Sequence, residues 1–234
     1  MRAVRRWVAL LAAAPVALAP AAPVGAQSAG PLDFLAQRPL HARVALADAA
    51  AIASVERVDL GRVRLRDAEA LFGAVPDSFE IKRAPSRPPP LAEGERALLF
   101  LRGARPPFVL VDGPEELTKL PDARVESRWR GAILALVERR GEPPALLELY
   151  RSWLETGDSD LQRAAVLGLG DGTAAFHPLP ERALLGLVGL ARDARVPEPL
   201  RRGALLVARL SLAGRAEPGA LLRRELERAG RELP

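Results

Sequence analysis

The chain has 234 residues, with 34 Lys and Arg against 29 Asp and Glu, a formal charge of +5, and no cysteine. The missing thiols exclude a disulfide framework and the lipid-attachment cysteine of a bacterial lipoprotein. The charge does not point to nucleic acid: Arg2, Arg5 and Arg6 belong to a leader, and beyond it 31 basic residues face 29 acidic ones, a balance of only +2.

Residues 1–26 have the three parts of a secretory signal peptide. The three arginines form its basic end, and Trp7 to Ala19 is an apolar run of about 13 residues. That is short of the ~20 needed to span a bilayer, and Pro15, Pro20 and Pro23 interrupt any extension. Val24, Gly25 and Ala26 supply small residues for cleavage before Gln27. The expected mature protein is periplasmic or secreted, without stable membrane insertion. It opens with a flexible segment, 27–39, and is long enough for two modest domains.

Residues 40–118 read as strands. In "GRVRLRD" Val63 and Leu65 alternate with Arg62, Arg64 and Arg66, and in "SFEIKR" Phe79 and Ile81 alternate with Glu80 and Lys82. A period of two sets one face on a core and the other in water. "ALLFL" (97–101) and "FVLV" (108–111) are unbroken apolar runs, as in strands covered on both faces. Turn residues at 59–61, 73–77, 84–90 and 103–107 punctuate these runs. Five strands with a more helical "RDAEALFG" bridging two of them predict a small antiparallel β-barrel.

Residues 119–234 read as helices. "DARVESRWRGAILALVERRG" opens on Asp122 as N-cap and stops at Gly141, and Trp129, Ala132, Ile133 and Leu136 form one apolar stripe. Later helices start where proline suits the first turn, at Pro143 and Pro144, Pro178 and Pro180, Pro197 and Pro199, and Pro218. Asp158 and Ser159 cap the remaining one. "WRGAIL" at 129, "QRAAVL" at 162 and "RRGALL" at 201 are near copies, spaced by 33 and 39 residues. "ALL" alternates with them, at 145, 183 and 220. Two alternating motifs predict stacked helix pairs, each covering the apolar face of the last, with small residues such as Gly131, Ala132, Ala164, Ala165, Gly203 and Ala204 letting backbones approach. The predicted class is therefore α+β, a small barrel followed by a short α-solenoid.

The Arg163, Ala165, Leu167 and Gly168 pattern resembles the second helix of HEAT-type repeats, and the resemblance covers about 122–229. It implies a helical solenoid that binds other proteins. Through "ADAAAIASVERV", "ALFG" and "GERALLFL" the β region resembles small OB-like or netrin-type modules of bacterial secreted proteins. Some netrin-type modules inhibit proteases through an N-terminal cysteine, which this chain lacks.

Residues of chemical interest have plain structural readings. His41 and His177 are the only histidines, each without an acidic neighbour at ligand spacing, and read as surface or loop residues. "TGDSD" (156–160) lacks the ligand ladder of a calcium loop and supplies a helix cap instead. "GLGDGT" (168–173) follows a helix and has no lysine, so its glycines read as a helix terminator and not a phosphate loop. No nucleophile elbow, metal box or triad spacing occurs, and neither a catalytic residue nor a cofactor is expected. Arg128, Trp129, Arg130, Tyr150, Arg151 and Trp153 bring together the residue types of protein-binding hot spots. Yet Trp129 continues an apolar stripe, and Tyr150 and Trp153 align with Leu146 and Leu149, which is core spacing. The expected function is a non-catalytic interaction scaffold with a protein partner and no nucleic acid. The alternative is an accessory or inhibitory subunit of a secreted enzyme.

Overall fold

The structure is a computed structural model that describes residues 37–59, 61–82, 91–112, 118–172, 178–213 and 219–233. Residues 1–26, read as a signal peptide, and most of the segment after them lie outside these residues, as do His177 and Pro218. The architecture is α+β. A short helix α1 (Leu40–Leu46) precedes six strands, β1 (Ala49–Asp59), β2 (Arg62–Phe72), β3 (Phe79–Lys82), β4 (Arg96–Arg102), β5 (Val109–Leu110) and β6 (Thr118–Lys119). Six helices follow, α2 (Ala123–Glu138), α3 (Pro143–Leu154), α4 (Ser159–Gly170), α5 (Glu181–Arg192), α6 (Glu198–Ala213) and α7 (Ala220–Glu232).

The strand order is β3-β2-β1-β4-β5, with β6 added beside β4. β1 is the centre of the sheet, antiparallel to β2 on one side and β4 on the other. The outer strands meet: Lys82 N–H donates to the Phe108 carbonyl at 2.8 Å and Phe108 N–H to the Glu80 carbonyl at 2.9 Å, a parallel bridge that closes the sheet on itself. Closure removes edges that would otherwise invite another strand.

Why Ala49–Ala53 of β1 and Ala97–Leu101 of β4 are unbroken apolar runs follows from what lies on each side of them. Ala49, Ala51, Ala53, Leu99 and Leu101 point into the barrel with Val63, Leu65, Phe79, Ile81 and Phe108. Ala50, Ile52, Leu98 and Phe100 point the other way, into the same core as Trp129, Ile133 and Leu136 of α2. The two faces of these strands therefore serve the two halves of the molecule, as the unbroken run "ALLFL" predicts.

Two segments differ from the sequence reading. Residues 40–46 form a helix and not a strand, because Leu40 and Val44, one turn apart, bury themselves in the helical core. The "RDAEALFG" segment is strand, the second half of β2, and bridges nothing. The register of β1 and β2 shifts between Ile52 and Ser54, where Asp67 adopts a φ of +51°. This bulge breaks the alternation that marks the first half of β2, while the ladder resumes at Ile52 with Glu69 and Ala51 with Ala70.

The helices begin where their chemistry predicts. Asp122 accepts the Val125 N–H at 2.8 Å, and Asp158 accepts those of Asp160 and Leu161 at 3.0 and 3.1 Å. Pro143 and Pro144 open α3, and Gly141 before it takes the left-handed conformation that closes a helix. All four stripe residues of α2 are buried.

α3 packs closely on α4 and α5 on α6, while α3, α5 and α7 form one row and α4 and α6 a second. α4 is apolar nearly all round, with Gln162 and every residue from Ala164 to Leu169 buried. The motif residues Ala165, Gly203 and Ala204 sit in these contacts, but Gly131 is exposed and its Cβ position has no neighbour within 4 Å. α2 stands apart from the regular pairing, touching α1, β2 and α3. At the far end α7 buries only Leu222 and Ala229 and turns a charged face outward. Among the described residues no helix is long and apolar enough to cross a membrane.

Candidate functional site

The polar centre of the molecule lies where α1, α3 and α4 meet. The Tyr150 hydroxyl, on α3, is 2.8 Å from His41 Nδ1 and accepts the His41 backbone N–H at 3.3 Å. The other ring nitrogen, Nε2, is 3.1 Å from Asp171 Oδ2 at the C-terminus of α4. Tyr150 O–H donating to Nδ1 and Nε2–H donating to the carboxylate is the pairing that a neutral imidazole makes in its Nε2–H form. Burial lowers the His41 pKa below its ordinary 6.5, an effect the Asp171 charge and hydrogen bond partly oppose. Burial likewise pushes the Tyr150 hydroxyl above its usual range, against the opposing bond from the His41 N–H.

Local sequence makes this junction possible. Pro39 enters α1 in extended conformation and supplies no side-chain cap, so the His41 N–H is one of the unpaired donors of a first turn, and Tyr150 answers it from another element. Gly168, inside α4, leaves the space for the ring: a Cβ there would lie 2.3 Å from Tyr150 Cζ. Of the glycines read as a helix terminator, Gly170 is the last residue of α4 and Asp171 the cap, while Gly168, the end expected from the HEAT-like pattern, lies within the last turn. The ring stacks edge-on against Trp153, with centroids 5.4 Å apart.

Beside the junction opens a cleft of about 580 Å³, between α1, β6, α2 and α4. Leu40, Trp129 and Leu167 form an apolar part of its wall, and Arg43, Lys119 and Arg163 bring charge to it. Asp112 holds two arginines in place, accepting from Arg38 at 2.5 Å and Arg43 at 3.0 Å, and Arg163 donates to the Gln37 side chain at 2.7 Å.

The arginine and aromatic residues of the sequence reading divide cleanly. Trp129, Tyr150 and Trp153 are core, at 8%, 0% and 6% exposure, so these rings are not offered to a partner as a surface hot spot. Their spacing on apolar stripes is the reason. Arg128 bonds Asp158, pairs with Asp160 at 2.6 Å, and lies 6.0 Å from the Trp129 ring centroid. Arg151 pairs within its own helix with Glu148 and Glu155, at 2.9 and 2.8 Å. Arg130 ties α2 to the barrel through Glu69. The "TGDSD" carboxylates are occupied by capping and by Arg128, and among the described residues no group of three or more candidate ligands could hold a metal ion.

Comparison with protein-family models, characterised proteins and solved structures finds no match. The site therefore has to be read from its own geometry. His41 is a correction: it is neither a loop residue nor without an acidic partner, because α1 carries it and folding brings Asp171 to it from 130 residues away. His177 lies outside the described residues. The one local signal for the junction was the glycine in "GLGDGT", the small residue that admits a ring. Tyr150 is wholly buried, while the His41 and Asp171 side chains keep 17% and 15% exposure. What the three side chains do is hold α1 against the helical stack.

Proposed function

We propose that this chain is a non-catalytic protein-interaction module, exported to the periplasm or beyond the cell, which presents the sides of its helical stack to a protein partner. The helix pairs are read as HEAT-like and the barrel as OB-like, serving as a fixed abutment. The observation that carries the reading is that both ends of the stack are closed. The outer face of β1 and β4 covers one end through Ile52, Leu98 and Phe100, and the charged helix α7 covers the other. A solenoid whose terminal elements are sealed is kept from growing end to end and binds laterally, through extended helix faces. The α3–α4 and α5–α6 pairs supply such faces, and the cleft at the barrel junction adds a concave feature. Export is supported by the basic, apolar and small-residue order of residues 1–26.

The test is site-specific photocrosslinking of the full mature chain in its own cell envelope. A crosslinker is placed at Arg163 on the cleft rim, at Arg202 on α6, and at Arg66 on the barrel, all exposed positions. The expected result is one protein captured from the helical positions and not from Arg66, which binds the purified chain in a fixed ratio and is weakened by Arg163→Glu or Arg202→Glu. Purified chain that captures no protein from either helical position, or that turns over a small molecule, overturns the proposal.

A further inference from the structure

Helix α1 is held in an unusual way. At seven residues it is far below the ~12–15 that an isolated helix needs in water, so it exists only while its contacts hold it. Two of those contacts are apolar, Leu40 and Val44. Several are polar: Arg43 to Asp112 at 3.0 Å, Arg140 of α2 to the Ala45 carbonyl at 3.1 Å, and the His41 bonds to Tyr150 and Asp171. Among the described residues the charged groups around the helix are Arg43 and Arg38 on its own segment, Asp112 after β5, Arg140 of α2, and Asp171 and Arg163 from α4.

We propose that α1 is a proton-sensitive latch: uptake of a proton at His41 loosens its seat on α3 and α4 and opens the wall of the cleft that Leu40 and Arg43 form. The geometry supplies the mechanism. With His41 neutral, Nδ1 accepts the Tyr150 hydroxyl while the backbone N–H of the same residue donates to that oxygen. A proton on Nδ1 turns an acceptor into a second donor aimed at one oxygen, so the hydroxyl hydrogen must rotate away. The added charge must also be carried in a part-buried place, which is why burial keeps the ring neutral to a lower pH than usual. Asp171 attracts the protonated ring and opposes release. The ring's exposure of 17% gives water a route to it. Because α1 cannot persist alone, a loosened seat becomes a lost helix.

The experiment is hydrogen–deuterium exchange on the full mature chain, with each rate corrected for the intrinsic pH dependence of amide exchange. Between pH 7.5 and 5.5 the protection of residues 40–46 is expected to fall about threefold or more, with about tenfold the ceiling for one histidine, while that of α6 holds. In His41→Gln the protection of α1 no longer varies over this window. In Asp171→Asn, which removes the charge favouring the protonated ring, the midpoint moves to lower pH, and this variant carries the test if His41→Gln fails to fold. The proposal is overturned if α1 and α6 lose protection in parallel, or if α1 stays protected while ring NMR shows His41 taking up its proton.

Discussion

Gly168→Ala is the substitution that asks most directly whether the Tyr150 junction is built as described. On an exposed helix the change from glycine to alanine stabilises by roughly 0.5–1 kcal/mol, since it restricts the unfolded chain. At Gly168 the new methyl would meet three ring atoms of Tyr150, at 2.3, 2.5 and 2.7 Å. Ordinary contact begins near 3.4 Å, so the ring must retreat by about 1 Å. It has nowhere to go, being wholly buried between Trp153 and His41. Overpacking of a filled core costs about 1–3 kcal/mol, and displacing the hydroxyl from His41 forfeits bonds worth about 0.5–1.5 kcal/mol each. After the helix gain is subtracted, the expected net loss is about 2–3 kcal/mol, a fall in Tm of roughly 5–10 °C for a chain of this size. Gly131 and Gly189 are helical glycines with nothing within 4 Å of a new Cβ, and both are exposed. Their alanine variants should melt at or slightly above the parent. Urea unfolding of the three variants, with Tyr150→Leu added to Gly168→Ala to relieve the contact, gives a double-mutant cycle. If Gly168→Ala behaves like Gly131→Ala, the close approach of α3 and α4 is wrong, and with it the placement of the hydroxyl.

Other consequences are as accessible. Ala165 is fully buried in α4, so Ala165→Arg must overpack the stack and bury an unpaired charge, and circular dichroism should show the cooperative helical transition lost or lowered by tens of degrees. Asp158→Ala removes a cap that accepts two N–H groups and bonds Arg128; a loss of about 1–2 kcal/mol in urea unfolding is expected, against little change for Glu227→Ala, exposed on α7. Glu126 ties α2 to the barrel, and the Arg96 hydrogen bond is the largest cause holding its pKa below the ordinary 4.5, with Arg130 adding to it. Its contribution is full above that ordinary value and is lost as pH falls through the lowered one. Glu126→Gln should therefore be less stable than the parent at pH 7, with a flatter dependence on pH below 4.5, in urea midpoints measured from pH 7 to 3. A parallel pair of curves would detach Glu126 from the acid response.

How much of this was legible in the sequence depended on the range of the interaction that placed each residue. The stripe Trp129, Ala132, Ile133 and Leu136 is a pattern within ten residues, and all four are buried. The caps Asp122 and Asp158 act within three residues and are found at their helix starts. Alternation in Val63, Leu65, Phe79 and Ile81 is equally local and equally legible, whereas the same rule fails beyond Asp67, where one bulge shifts the phase and a second register shift, between Ala50 and Ala51, accompanies Leu71 and Phe72 packing together against the helical core. Helix α1 was missed because seven residues with two buried apolar positions satisfy either period, and only the helical core that receives Leu40 and Val44 decides between them. The junction lies furthest from local reach. His41 and Asp171 stand 130 residues apart in the chain, and Gly168 looks the same in sequence whether it ends a helix or admits a ring. The repeat itself gave a hint of the answer. "QRAAVLGLG" places glycine one residue beyond the motif leucine, where "WRGAILALV" has alanine and "RRGALLVAR" has valine. A copy that replaces a good helix former with glycine in mid-helix accepts about 1 kcal/mol of cost, and the structure accounts for that departure by the tyrosine ring packed against it.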